Sequence, residues 1–199
     1  MKNHLYISSL FLSLSVMMPV FAEDADKYAP VRDQLQQCVT CHGDKGASDN
    51  PKYPILAGQH LYYNFRQLRD FKSGRREDPV MTPMAQQLER DEMMLIAEYF
   101  SEQEWPDICH KASPEEIAIA KRISNSGQCV QCHLGGYKGS SGTPRLGGQH
   151  VEYLSKTMLD YKHGRRGNSP AMTANLLEDF EDEELKAMAS YLAGLKGND

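Results

Sequence analysis

The sequence is short of positive charge and of long apolar runs. Its 22 lysines and arginines are outnumbered by 27 aspartates and glutamates, for a formal net charge of −5. Nucleic-acid-binding domains are typically basic, so this balance argues against a nucleic acid as a partner. Beyond the N-terminal segment, no stretch has the run of about 20 apolar residues that a transmembrane helix needs.

The N-terminal segment, residues 1–22, has the three parts of a secretory signal. Lys2 supplies positive charge, residues 5–20 form a short apolar stretch broken by serines, and Val20-Phe21-Ala22 fits the small-residue cleavage rule. We therefore expect cleavage before Glu23 and a periplasmic mature protein. An uncleaved anchor is the alternative.

Cysteine is scarce, with five residues in 199, but four of them lie in two Cys-x-x-Cys-His pentads. These are Cys38-Val39-Thr40-Cys41-His42 and Cys129-Val130-Gln131-Cys132-His133. The pattern is typical of c-type haem attachment, in which the thiols form thioethers and the histidine ligates the iron. A zinc ribbon and a redox disulfide are the alternatives, but the two cysteine pairs of a zinc ribbon usually lie about 15–20 residues apart. Here the pairs begin 91 residues apart, and each is followed at once by a histidine.

The sequence is an internal duplication. Residues 53–60, 70–76 and 79–82 recur as residues 143–150, 160–166 and 170–173. A repeat of this length predicts two similar domains. We expect a signal peptide at 1–22, an N-terminal domain at 23–104, a linker at 105–113 and a C-terminal domain at 114–199.

Each half also offers a methionine 39 residues after its pentad histidine, namely Met81 after His42 and Met172 after His133. A thioether ligand is soft, favours Fe(II), raises the reduction potential and closes the iron to substrates, which suits electron transfer. Met84 is the alternative ligand in the first half, and the repeat favours Met81. The sequence thus predicts two covalently bound haem c groups. Their predicted thioether residues are Cys38, Cys41, Cys129 and Cys132, and their predicted iron ligands are His42, Met81, His133 and Met172.

Apolar residues recur at helical spacing in several segments, and no convincing alternation predicts a strand. The predicted helices cover residues 28–37, 59–72, 89–103, 114–124, 149–162 and 182–195. We therefore predict an all-α protein, in which each half is a small helical domain around one haem. Such small domains bury a modest share of their surface, so we expect the haem to supply part of each core.

The paired pentads, the repeated Pro-x-Leu-x-Gly-Gln segments, the Gly-Arg loops and the paired Met-Thr sites together resemble the cytochrome c4 family. The resemblance covers nearly all of the chain after the signal segment. It implies an exported dihaem protein of two tandem class I cytochrome c domains, packed through a pseudo-twofold interface. It also implies His/Met ligation at both irons, by His42 with Met81 and by His133 with Met172.

The resemblance implies a role for a pair of prolines that recurs near the pentads. In class I cytochromes, a proline at the position of Pro54 and Pro144 offers its carbonyl to the second nitrogen of the ligating histidine, which fixes the ring. His60 and His150 are expected to begin a helix and to face solvent or the domain interface. Ligation of the iron by these two histidines is the alternative.

The Gly-Arg loops contain Arg75, Arg76, Arg165 and Arg166. We hypothesise that at least one arginine in each half pairs with a haem propionate, because a guanidinium matches carboxylate geometry. A solvated loop is the alternative.

Cys109 is the odd cysteine. Pro106 occupies the position that the first cysteine of a third pentad would need, so a third standard haem site is excluded. We expect a partly buried linker cysteine. An intermolecular disulfide, a free reactive thiol and a thiolate haem ligand are the alternatives.

The leading functional hypothesis is an electron carrier between a quinol-oxidising complex or exported dehydrogenase and a terminal oxidase or similar acceptor. Its partners would be redox proteins, some of them docked at the membrane. The alternative is a tightly bound cytochrome subunit of a dehydrogenase that oxidises sulfur compounds or alcohols. A dihaem peroxidase is disfavoured, because two methionine ligands would close both irons and no acid, base or nucleophile constellation stands out. We therefore expect no enzymatic activity.

Overall fold

The computed structural model describes residues 26–173 and 176–196. The expected signal segment at 1–22 lies outside these residues. Within them the regular structure is helical, and an isolated bridge between Ser140 and Thr143 is the single β feature. The helices are α1 (Arg32–His42), α2 (Leu61–Lys72), α3 (Met81–Gln86), α4 (Arg90–Ser101), α5 (Pro114–Ser126), α6 (Cys129–His133), α7 (Val151–Lys162), α8 (Pro170–Thr173) and α9 (Asp182–Ala193).

The first half is built on the packing of α2 against α4, with α3 against α2. A capping box begins α4, in which the side chains of Glu89 and Glu92 each accept a hydrogen bond from the other's backbone N–H. The core beneath these helices is apolar and comprises Val31, Leu35, Leu88, Met93, Ile96 and Phe100. The predicted helix at 28–37 extends further than expected, because α1 continues through the pentad to His42.

The second half repeats this arrangement, with α5 and α7 packed against α9. Ser113 and Glu116 form the capping box of α5, and Pro114 occupies its first turn, where a missing N–H costs nothing. Here the helix before the pentad stops at Ser126. Gln128 is left-handed, with φ of 51°, and the pentad then forms the separate short helix α6.

The two halves meet through reciprocal contacts that follow the sequence repeat. His60 Nε2 donates a hydrogen bond to the Lys138 carbonyl at 2.8 Å, and His150 Nε2 donates to the Ser48 carbonyl at the same distance. Both histidines immediately precede a helix. His60 and His150 were expected to begin a helix and to face solvent or the domain interface, and of these two environments the structure shows the interface.

The segment between α4 and α5 packs against this interface through Trp105. The Arg145 guanidinium lies 4.4 Å from the centre of the indole ring, and a Cβ placed on Gly148 would come within 2.8 Å of the indole nitrogen. The expectation of a partly buried Cys109 is wrong, because its side chain is exposed. Cys109 has a left-handed backbone, with φ of 54°, and its N–H donates to Asp107 Oδ1. That turn directs the thiol to solvent.

None of the helices in residues 26–173 and 176–196 combines the length and the apolar character needed to cross a membrane.

The residue after each pentad histidine has a backbone conformation that suits glycine. Gly43 has φ of 77° and ψ of 169°, and its counterpart Leu134 has φ of 63° and ψ of 178°. This region is strained for a side chain by about 1–3 kcal/mol. Because the Leu134 side chain is 44 % exposed, its removal sacrifices little burial.

We therefore expect Leu134→Gly to stabilise the holo-protein by about 1 kcal/mol, since the entropic cost of the new glycine is smaller than the strain it relieves. Denaturant unfolding with detection of the haem bands measures the change. Gly43→Leu is the matched opposite, because its Cβ would lie 2.8 Å from the Ala47 carbonyl oxygen. A loss of stability in Leu134→Gly would contradict the assignment of strain.

Candidate haem sites

One mostly apolar cavity of about 1500 Å³ is lined by residues of both halves. All of the predicted haem residues contribute to its walls, namely Cys38, Cys41, His42, Met81, Cys129, Cys132, His133 and Met172. The two pentads thus face a shared space at the interface between the halves.

The spacing of each cysteine pair places both sulfurs on one side of a helix. Cys38 and Cys41 lie three residues apart on α1, and Cys129 and Cys132 have the same relation on α6. Residues at this spacing are neighbours on a helix surface. Burial raises the pKa of Cys38 to about 11 and also raises that of Cys129, so both are neutral thiols near pH 7.

His42 is held in one orientation by a proline carbonyl. Its Nδ1 lies 2.9 Å from the Pro54 carbonyl oxygen. Because a carbonyl only accepts, Nδ1 carries the hydrogen and Nε2 keeps its lone pair. The side chain is 6 % exposed, and this burial lowers the pKa of His42 although the bond to Pro54 opposes the change. The result is a neutral imidazole, the form that binds iron.

His133 has the same environment in the second half. Its Nδ1 lies 3.0 Å from the Pro144 carbonyl oxygen. Burial again lowers the pKa of the histidine against the effect of that hydrogen bond. Both predicted proline contacts are therefore present.

The methionines lie on short helices that the sequence did not predict. Met81 is the first residue of α3, and its N–H donates to Asp78 Oδ1 at 3.0 Å. Met172 lies on α8. Met84, one turn after Met81, also lines the cavity, so both candidate thioethers of the first half face the same space.

The four repeated arginines divide into two kinds. Arg75 and Arg165 are exposed, and each donates from Nε to the aspartate five residues before it in the sequence. Arg76 and Arg166 instead line the cavity. Their guanidinium groups converge from opposite halves on Gln67 Oε1, at 2.8 Å and 2.9 Å respectively.

This cluster concentrates positive charge at the cavity wall. Arg166 is 5 % exposed. Burial would raise the pKa of the nearby Tyr153, but Arg76 and Arg166 outweigh that effect and lower it to about 7. A buried tyrosine acquires such a pKa only in a strongly cationic environment. The cavity therefore fits a flat apolar cofactor with anionic edge groups, and the neutral histidines and thiols fit its iron and vinyl groups.

Comparison with known proteins shows the same division into two haem domains. Residues 31–110 match the family model for cytochrome c, and residues 115–192 match the model for subunit III of cbb3-type cytochrome c oxidase. The chain is 35 % identical over 171 residues to cytochrome c4 of Thiocapsa roseopersicina, covering 79 % of this chain and 86 % of that one. The protein belongs to the cytochrome c4 family.

The solved structure of reduced cytochrome c4 from Pseudomonas stutzeri superposes with a TM-score of 0.77 at 29 % identity, and the match covers 86 % of this chain and 100 % of that one. This similarity confirms the predicted all-α fold of two tandem cytochrome c domains. As a member of this family, the protein binds two covalent haem c groups and is an electron carrier rather than an enzyme.

A further relative of this protein has a name that states its redox role. It is the thiosulfate dehydrogenase electron acceptor of Stutzerimonas stutzeri, 31 % identical over 169 residues, which cover 79 % of this chain and 78 % of that protein.

Several residues at this site lie outside the motifs for which the sequence predicts a role. Gln67 and Tyr153 join the arginine cluster, and Gln59 and Gln149 bridge the two halves. The Gly-Gln pair occurs in both halves, and this repetition is the sequence signal that points to a role for Gln59 and Gln149. No sequence signal marked Gln67, because its counterpart in the repeat, Thr157, differs from it.

Proposed function

We propose that this protein carries electrons, one on each haem, from a quinol-oxidising complex or an exported dehydrogenase to a terminal oxidase or similar acceptor. The observation that carries the proposal is a cavity lined by both pentads and by the predicted ligands Met81 and Met172, one from each half. Two sites that share one space are placed for electron exchange within the molecule. When bound, each haem supplies an iron that alternates between Fe(II) and Fe(III).

The residues of the chain hold and tune that iron. We assign the thioethers to Cys38, Cys41, Cys129 and Cys132, and the axial ligands to His42 with Met81 and His133 with Met172. The proline carbonyls orient the histidines. Methionine ligation closes both irons to substrates and raises their potentials.

The proposed domain division is 23–104, a linker at 105–113 and 114–199, after a signal peptide at 1–22. In support, α4 ends at Ser101 and α5 begins at Pro114, so the linker falls between two helices. Removal of the signal peptide on export would place the protein in the periplasm. N-terminal sequencing of the native protein tests the cleavage before Glu23.

A thiosulfate-oxidising dehydrogenase is the donor that the relatives favour. The test mixes the oxidised protein with thiosulfate and a purified thiosulfate dehydrogenase and follows haem reduction in the visible spectrum. We expect rapid reduction of both haems with the dehydrogenase present and none when it is omitted. Failure to reduce either haem would exclude this donor and favour a quinol-oxidising complex.

The second candidate function is a tightly bound dehydrogenase subunit, which is supported by the solved thiosulfate dehydrogenase (TsdBA) of Marichromatium purpuratum, since the match covers 78 % of this chain and 36 % of that one with a TM-score of 0.69. The two roles differ in the state of the native protein. A free carrier elutes from size-exclusion chromatography as a single chain, whereas a subunit co-purifies with a second polypeptide.

We further propose that the propionates lie against Arg76 and Arg166. Arg76→Gln and Arg166→Gln should each lower the potential of a haem, because loss of a buried positive charge stabilises Fe(III). We expect about a threefold change in the redox equilibrium, or about 30 mV for one electron. Arg75→Gln and Arg165→Gln are the matched controls, since these arginines are exposed and bond to aspartates. Equal shifts in all four variants would contradict the assignment.

A further inference from the structure

Each half extends a buried glutamine into the haem-binding loop of the other half. Gln149 Nε2 donates to the Ile55 carbonyl at 3.0 Å, and Gln149 Oε1 accepts from the Ile55 N–H at 2.9 Å. In the same way, Gln59 Nε2 donates to the Arg145 carbonyl at 2.9 Å, and Gln59 Oε1 accepts from the Arg145 N–H at 2.9 Å. Both glutamines are 3 % exposed. The side-chain amide of each glutamine therefore binds both the backbone N–H and the backbone carbonyl of one residue in the opposite half.

The contacted N–H groups belong to the same peptide units that hold the pentad histidines. The Ile55 N–H and the Pro54 carbonyl form one amide, whose oxygen accepts from His42 Nδ1 at 2.9 Å. The Arg145 N–H and the Pro144 carbonyl form the other, whose oxygen accepts from His133 Nδ1 at 3.0 Å. Each glutamine oxygen is thus joined to the opposite histidine through a single conjugated peptide group.

Hydrogen bonds in such a chain strengthen one another. When an amide N–H donates, the amide polarises and its oxygen becomes a better acceptor. A better acceptor draws the Nδ1 proton more strongly and makes the histidine a stronger donor to the metal. A stronger donor stabilises Fe(III) relative to Fe(II), so the potential falls.

We propose that Gln149 and Gln59 are cross-domain positioning residues, each of which lowers the potential of the haem in the opposite domain. The proposal rests on the ligation by His42 and His133 proposed above. If so, the potentials of both haems depend on how the two domains are docked. An event that loosens the domain interface would therefore raise both haem potentials. A glutamine that served only as an adhesive would alter the stability of the interface and leave neither potential selectively changed.

The test is a potentiometric titration of the holo-protein carrying Gln149→Leu or Gln59→Leu. Axial methionine NMR signals, assigned with Met81→Leu and Met172→Leu, distinguish the two haems. We expect Gln149→Leu to shift the redox equilibrium of the N-terminal haem threefold to tenfold towards Fe(II), or about 30–59 mV upwards, with the C-terminal haem unchanged. Gln59→Leu should give the reverse pattern.

A second measurement follows the histidine Nδ1 protons by NMR in the reduced, diamagnetic protein. The proton in the opposite domain should move upfield as its hydrogen bond weakens. His150→Gln is the control, because it alters a contact to Ser48 on the same face but leaves the Pro54 peptide untouched. If the leucine variants do not fold, Gln149→Asn and Gln59→Asn keep the amide while shortening its reach.

Equal shifts of both haems, a shift confined to the glutamine's own domain, or the same shift in His150→Gln would overturn the proposal. So would unchanged potentials together with unmoved protons. Failure of the underlying ligation by His42 or His133 is recognised separately, because the imidazole protons of that histidine in the reduced, unsubstituted protein would then lack the upfield ring-current shift of a haem-bound ring.

Discussion

Replacing Met81 with leucine should remove the far-red Met–iron band of one haem and lower its potential. Leucine cannot ligate, so the iron is left with a weaker ligand or an open position. Axial ligands set haem potentials over a range of about 0.8 V, and we expect a fall on the order of 100 mV or more. A spectroelectrochemical titration measures the band and the potential together.

Met84→Leu is the matched control for this prediction, because Met84 lines the same cavity one turn along α3. It should retain both Met–iron bands. Met172→Leu should reproduce the Met81 result in the other haem. Loss of the band in Met84→Leu, with retention in Met81→Leu, would transfer the ligand role to Met84.

Protein without haem should lack a cooperative fold. An empty cavity costs about 24 cal/mol per Å³. If even a third of the cavity of about 1500 Å³ stayed empty, the cost would be on the order of 12 kcal/mol. The total stability of a typical protein is about 5–15 kcal/mol. The helices therefore depend on the cofactor for their packing.

Protein expressed without the haem-attachment machinery tests this expectation by circular dichroism during thermal unfolding. We expect reduced helicity and a broad transition. A variant with both Cys38→Ser and Cys41→Ser serves as a partial control, which should bind one haem and lose amide protection mainly in residues 26–101. Cooperative unfolding of the haem-free protein near the temperature of the holo-protein would refute the prediction.

Much of the site was accessible from the sequence because its chemistry is local and duplicated. Each pentad brings two thiols and a histidine together within one helical stretch, so no tertiary information is needed to recognise it. The repeat indicated the methionines, because Met81 and Met172 lie at the same distance along the sequence from their pentad histidines. The role of the prolines came instead from the resemblance to class I cytochromes, and their carbonyls accept from the pentad histidines as that resemblance implies.

The remaining features depend on tertiary contacts that no local pattern encodes. Arg75 and Arg76 are adjacent and chemically identical, yet one faces solvent and the other the cavity. That choice depends on Gln67 of the same half and on Tyr153, which reaches Arg76 across the domain interface. The short helix α3 has too few residues for a helical period to show. The glutamine bridges need both halves in place before their partners exist.

The most direct test of the central claim is a potentiometric titration of the purified holo-protein, followed through its visible and far-red spectrum. With His/Met ligation at both cavity-facing sites, we expect two low-spin haems, both with positive potentials and both with a Met–iron band. A haem that lacks the band, or that titrates at a far lower potential, would contradict the assignment of an electron carrier with two closed irons.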